Sequence, residues 1–367
     1  MTKREAQRMK LRLLLLLLIF TLIATACGSS ASPSPDNIED IEIENPQIQP
    51  EIEEIKEEID IQALKPNEAG QIMVLMYHHI AEPEAEWVRT PENFRKDLQV
   101  LYEKGYRPIS LNDYALGNIT TEAGYTPVVL TFDDGRQNNF NMIENEKGDW
   151  IIDPDCAVAI LEEFHTAHQD FPLEATFFVN NNVPFGQQEH LEFKLKYIID
   201  KGMDIGNHTA THVDFTKVDA PRIQKELAGI VELIERYLPE YQVNTLALPF
   251  GSRPKEKDLY QYLEIGIHEG FEYKNNAILN VGWDPYKSPY HREFNPLAIH
   301  RIRASELQKF VQGVGMYDWL DQFDKGSRTK YISDGDPHTV TIPESFIDAI
   351  EPQRIGEREI RTYIIEK

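Results

Sequence analysis

The sequence predicts an α/β fold: a parallel sheet closed or partly closed into a (β/α) barrel. Three observations predict it. Short apolar runs rich in β-branched residues alternate with stretches of helical spacing from about residue 72 to 303. No repeat of fixed period runs through that region. The residues able to do acid–base or metal chemistry fall at or just past the ends of the strand-like runs, where such barrels carry their sites. At 367 residues and 41% hydrophobic, the chain is long enough for a sizeable core.

Taken in order, Gln71 to Tyr77 is an apolar strand closed by His78 and His79. Phe94, Leu98, Leu101 and Tyr102 recur at helical spacing, and Gly105 ends that helix. Pro108 to Leu111 is a short strand, and 127–132 another, apolar from Pro127 to Leu130. Cys156 to His168 is an amphipathic helix, with Cys156 as a small buried hydrophobe. Ala175 to Val179 is a buried strand, 191–201 a helix, and Met203 to Gly206 a strand. A helix opened by a proline covers 221–238. Then come a strand at 245–249, a helix at 254–270, and strands at 277–281 and 297–302. Beyond 314 the pattern weakens to a helix at 316–323 and strand-like alternation at 330–342 and 359–366, an extension that either packs on the barrel or forms an appended hairpin.

The chemistry centres on Thr131-Phe132-Asp133-Asp134-Gly135. Two adjacent carboxylates leaving a buried strand repel each other and are costly to desolvate. A metal ion, or a proton held by one of them, relieves that cost. Downstream, Gly206-Asn207-His208-Thr209-Ala210-Thr211-His212 places two histidines four apart. If that segment is helical, both imidazoles face one way and can serve one ion. Each pattern alone is weak; an Asp-Asp at one strand end with an HxxxH at a later one is strong.

TFDDG followed by GNHTATH resembles the polysaccharide deacetylases of carbohydrate esterase family 4, with a NodB-homology domain, over roughly residues 72–303. The resemblance implies a distorted barrel of about seven parallel strands. It implies Asp134, His208 and His212 as metal ligands and Asp133 as general base. Two imidazoles and one carboxylate leave coordination positions open, and zinc is the first expectation among divalent transition metals. Leu248-Pro249-Phe250-Gly251 resembles the family's third motif, a wall of the substrate groove, so Pro249 and Phe250 are expected to touch substrate. The arginine often found just before that motif is missing, and Arg301 or Arg303 is expected to orient Asp133 instead. The late catalytic acid of the family points to His300, with His291 the other candidate. Strand alternation puts His300 and Arg301 on opposite faces, so only one enters the site. Trp283 is expected as an aromatic wall or as core; His78 and His79 are read as structural histidines, with the approach of one of them to the site as the alternative.

Residues 1–26 read as a signal peptide: Lys3, Arg4, Arg8, Lys10 and Arg12 precede an apolar run from Leu13 to Ala26. Small residues before Cys27 resemble a lipobox, giving an expected lipid anchor at Cys27 on an extracytoplasmic lipoprotein. Residues 27–69 are acidic and read as a disordered linker, with a short helix at 51–64 as the rival reading. The barrel is expected at 70–313 and the extension at 314–367. Net charge is −24, from 37 basic and 61 acidic residues, and no basic face for nucleic acid is visible. The expected function is an exported, monomeric, metal-dependent hydrolase removing N-acetyl groups from a polysaccharide, such as a cell-wall glycan. The alternatives are a non-catalytic glycan-binding lipoprotein and an O-acetyl polysaccharide esterase.

Overall fold

The computed structural model describes residues 60–180, 182–307 and 312–365. The expected signal peptide, Cys27 and the linker up to residue 59 lie outside the described residues. The strands in chain order are β1 Met73–Tyr77, β2 His79–Ile80, β3 Val88–Arg89, β4 Tyr106–Pro108, β5 Thr126–Phe132, β6 Met142–Glu144, β7 Trp150–Ile152 and β8 Thr176–Val179. They continue with β9 Asp204–Asn207, β10 Thr245–Ala247, β11 Ile265–His268, β12 Phe271–Lys274, β13 Ala277–Leu279, β14 Ile302–Arg303, β15 Thr339–Pro343 and β16 Glu359–Tyr363.

Seven of these form the main sheet in the order β13-β10-β9-β8-β5-β1-β14, with β4 beside the start of β5. Every pairing in it is parallel. A parallel bridge between Leu279 and Ile299 joins β13 to the segment that runs on into β14. The two ends of the sheet are thereby linked, which is the expected (β/α) barrel of about seven strands. All carboxyl ends lie at one rim of a parallel barrel, so side chains just past each strand converge there.

β1 and β5 are buried along their whole length, as parallel strands covered on both faces must be. Met73, Leu75 and Tyr77 of β1 pack with Phe94, Leu98 and Leu101 of the helix Pro91–Glu103. Val74, on the opposite face, packs with Val129, Phe178 and Leu279 in a second cluster. Cys156 is buried, as expected, at the N-cap of the helix Ala157–Ala167.

Several stretches differ from the sequence reading. In place of the expected strand at 108–111, the strand lies earlier, at Tyr106–Pro108, and Ser110 caps a helix at Leu111–Leu116. A helix occupies only Gln261–Glu264 of the expected 254–270, and β11 and β12 form an antiparallel hairpin instead. Its turn, Glu269-Gly270, has positive φ at both residues (50° and 89°), the backbone of a tight hairpin. At 297–302 a 3₁₀ turn, Pro296–Ala298, replaces most of the expected strand. Residues 60–69, expected as the end of a disordered linker, are folded. Asp60 caps a short helix at Ile61–Leu64, and the Asn67 and Glu68 amides bond to Ile332 and Thr341 carbonyls. The C-terminal extension packs on the barrel: Tyr331, Val340 and Ile342 join the cluster of Val74 and Val129. β15 and β16 pair in parallel, so they are not a hairpin.

Candidate active site

Four neighbouring strand ends build the site. β1 pairs β5 with Tyr77 opposite Phe132, so His78 and Asp133 emerge side by side. β8 pairs β9 with Val179 opposite Asn207, so Asn180 and His208 do the same. At Asp134 the chain leaves the sheet with φ 75°, a left-handed value uncommon for a residue with a side chain. Gly135 follows at φ 53°, and a Cβ there would stand 3.0 Å from Val179. This pair of positive φ values turns the two consecutive carboxylates in different directions.

Asp134 meets the two histidines. The Nε2 atoms of His208 and His212 each lie 3.5 Å from Asp134 Oδ1. One ligand atom from each of the three residues falls within 4.8 Å of the others. The segment carrying the histidines is a loop, not the helix that the spacing suggested; Thr209 and His212 take positive φ (63° and 53°) to bring both imidazoles round. The His208 Nδ1–H donates to the Ala247 carbonyl at 2.8 Å, which leaves the Nε2 lone pair free for an ion. Burial, then the neighbouring His208, lowers the His212 imidazole, favouring the neutral form a metal needs. Asn180 donates to Asp134 Oδ1 at 3.1 Å, and Arg136 to Oδ2 at 3.2 and 3.3 Å.

This arrangement fits a divalent metal ion. Ligands bonded tetrahedrally at about 2.0–2.2 Å stand roughly 3.3–3.6 Å apart. The 3.5 Å separations here are of that size, and they are long for direct hydrogen bonds.

Asp133 is held differently. Arg301, fully buried, donates NH1 to Oδ1 at 2.7 Å and NH2 to Oδ2 at 2.8 Å. Its Nε binds the Asn280 carbonyl at 3.1 Å. Burial alone would raise the Asp133 carboxyl, but Arg301 and the adjacent imidazoles hold it well below the usual carboxylate range. Arg301 is therefore the orienting arginine that the third motif lacks. Arg303 points elsewhere, to Glu86 at 2.9 Å.

The placement of Arg301 decides His300. It faces the other way, half exposed, with Nδ1 3.0 Å from Asp284 and its ring against Tyr286. Among the described residues no contact joins it to Asp133 or to the two metal-site histidines, so the expected acid is not where an acid must be. His291 bonds the Glu293 amide and pairs with Ile350, also away from the site.

His78, expected to be structural, stands in the site instead, with Nε2 3.9 Å from Asp133 Oδ2. Burial lowers its imidazole to about 4, against the pull of Asp133 and Asp134. Its place follows from register: β1 lies beside β5 with Tyr77 opposite Phe132, so the residues after both strands reach one rim.

Of the expected substrate contacts, Pro249 is buried and Phe250 is 68% exposed with φ 58°. The Phe250 ring stands edge-on to His212 at 4.6 Å, at the lip of the site. Trp283 is 56% exposed and so is not core; its carbonyl accepts from Trp319 Nε1 at 2.8 Å.

Residues 121–268 match the family model described as polysaccharide deacetylase. The Bacillus subtilis (strain 168) protein YxkH, named as a candidate polysaccharide deacetylase, is 22% identical over 255 residues, covering 68% of this chain and 77% of its own length. Among solved structures, BC0361, a polysaccharide deacetylase from Bacillus cereus, is 20% identical with a TM-score of 0.48, covering 70% of this chain and 69% of that one. Streptococcus pyogenes deacetylase PplD, in complex with acetate, is 20% identical with a TM-score of 0.49, covering 69% and 98%.

Proposed function

We propose, from the match of residues 121–268 to the polysaccharide deacetylase family model, a metal-dependent hydrolase that removes N-acetyl groups from an N-acetylated polysaccharide. The observation that carries this reading is the unlike treatment of two consecutive carboxylates. Asp134 faces two imidazoles at ion-sharing distance, while Asp133, with Oδ2 3.9 Å from His208 Nε2, has both oxygens bound by Arg301.

Asp134, His208 and His212 would hold the ion, zinc or another divalent transition metal. When bound there, such an ion supplies Lewis acidity toward the acetyl carbonyl and lowers the pKa of water toward about 7. The remaining work falls to the chain. Asp133 accepts the proton that the attacking water loses. The guanidinium of Arg301 fixes both carboxylate oxygens, so the base cannot swing into the ligand set. Because Asp133 is a weak base so paired, the proton it collects passes readily onward. His78, with Nε2 3.9 Å from Asp133 Oδ2 and neutral in the resting site, takes that proton through a bridging water and delivers it to the departing amine nitrogen as the C–N bond breaks. The products are acetate and a free amino sugar. The exposed Phe250 ring offers a stacking face for the sugar beside His212.

A glycan-binding role without catalysis needs neither the buried Asp133–Arg301 pair nor His78 beside it. An O-acetyl esterase would use the same groups with less demand on His78. Export and anchoring at Cys27 complete the proposal and rest on the sequence of the first 30 residues. The test is hydrolysis by the metal-loaded protein of N-acetylglucosamine oligomers, peptidoglycan and O-acetylated xylan side by side. Acetate released from the N-acetylated substrates is expected. Release from xylan alone would favour the esterase, and binding without release the lectin-like role.

A further inference from the structure

The loop between β2 and β3 is anchored more firmly than a surface connection requires. Arg89, 2% exposed, binds both oxygens of the fully buried Asp97 and one oxygen of Glu84 at 2.8 Å. Glu84 accepts in turn from the Thr90 amide and the Asn93 side chain, each at 2.9 Å. The hydroxyls of Tyr77 and Tyr317 complete the shell of Asp97, at 3.3 and 2.8 Å. A buried, fully bonded pair of this kind fixes a loop because breaking it strands a charge. The loop so fixed presents Trp87.

The Trp87 ring lies 4.6 Å from the ring of His78, with the planes at 57°. The Arg303 guanidinium sits over the same indole at 4.3 Å, and Glu86 holds that guanidinium at 2.9 Å. Trp87 is thus clamped, and it leans on the imidazole beside Asp133. That imidazole lacks the usual means of orientation. His208 is set by its Nδ1–H bond to a carbonyl. The His78 ring has no hydrogen-bond partner among the described residues; Asp133 Oδ2, at 3.9 Å, is beyond reach. Without a bond to either nitrogen, only packing stops the ring from turning.

The geometry points to Trp87 as a positioning residue: its indole holds the His78 imidazole in the orientation that lets Nε2 serve the leaving nitrogen. This rests on the deacetylase reading and on the role given there to His78. The test compares Trp87→Ala and Trp87→Phe on an N-acetylglucosamine oligomer, whose amine must be protonated to leave, and on 4-nitrophenyl acetate, whose phenolate leaves unaided. Trp87→Ala is expected to lower kcat on the amide about tenfold or more with KM nearly constant, since positioned acid catalysis contributes typically 10²–10⁴-fold. The loss on the ester should be at least tenfold smaller. Trp87→Phe, which keeps a ring against His78, should recover most of the amide activity, and it stands in if the alanine variant does not fold. In a His78→Ala background, Trp87→Ala should cost nothing more. In a crystal structure of metal-free Trp87→Ala, the His78 ring should leave its present rotamer.

Equal losses on amide and ester, a further loss in the His78→Ala background, or an unmoved His78 ring would each overturn the role of Trp87. A metal-loaded wild-type protein inactive on the N-acetylglucosamine oligomers would overturn the deacetylase reading itself, a different result.

Discussion

On the Asp133 side of the DDG turn, both carboxylate oxygens are taken by Arg301, at 2.7 and 2.8 Å, on a strand end that is almost wholly buried. On the Asp134 side, one oxygen faces two imidazole nitrogens at 3.5 Å, a distance no hydrogen bond explains. The first half is complete within the protein. The second also accepts from Asn180 and Arg136, and its spacing to the imidazoles is what a bound cation would use. Two residues adjacent in sequence have thus been given one task each, and the left-handed turn at Asp134 and Gly135 is what separates them. On the proposed reading, the difference teaches that a carboxylate's role lies in its partner: a guanidinium holds Asp133, and two imidazoles face Asp134.

The largest effect should come from emptying the second half. His208→Ala is expected to lose the metal and essentially all turnover while leaving the first half intact. Metal content by atomic spectroscopy, with a thermal melt alongside, checks it; full metal occupancy in that variant would break the comparison.

Attacking the first half should cost less activity and more stability. Arg301→Gln leaves the Asp133 charge buried without its partner, a change worth about 3–5 kcal/mol in comparable pairs. The chemical denaturation midpoint should drop accordingly. The sign of the pH effect follows from the same loss. Arg301 holds the Asp133 carboxyl low, so its removal raises that pKa. The base works only when ionised, so the acidic limb of kcat/KM should move upward in pH and activity at low pH should fall. An unmoved limb would mean that Arg301 does not tune the base.

The smallest effect is expected at His300. It sits on the same short stretch as Arg301 but faces Asp284 and solvent. His300→Ala should keep turnover within about twofold of wild type, whereas His78→Ala should lose roughly 10²-fold or more if it passes the proton. Comparable losses in the two would refute the assignment of the acid.

The sequence made some of this site plain and hid the rest for physical reasons. Asp133, Asp134, His208 and His212 were legible because residue type and position at a strand end are local properties. The barrel was legible for the same reason: strand and helix signals alternate along the chain. Which of His300 and Arg301 enters the site depends on how that segment sits against β1, where Leu75 pairs with Ile302, and register is not local. His78 was hidden by the same kind of fact, since its role exists only because β1 lies beside β5 with Tyr77 opposite Phe132. Arg136 and Asn180, the second partners of Asp134, carry no spacing signal at all. The 254–270 stretch failed as a helix because Ile265-Gly266-Ile267 alternates and Glu269-Gly270 turns, a strand pattern inside a mixed polar segment.

The central claim is that Asp133 does chemistry and Asp134 holds the ion. It is tested most directly by measuring metal occupancy and turnover on the same sample of Asp133→Asn. That variant keeps the shape of the side chain but cannot accept the water's proton. The account predicts metal content close to wild type with turnover lower by about 10²–10⁴-fold. Full turnover in a correctly metallated sample, or loss of metal in step with activity, would contradict it.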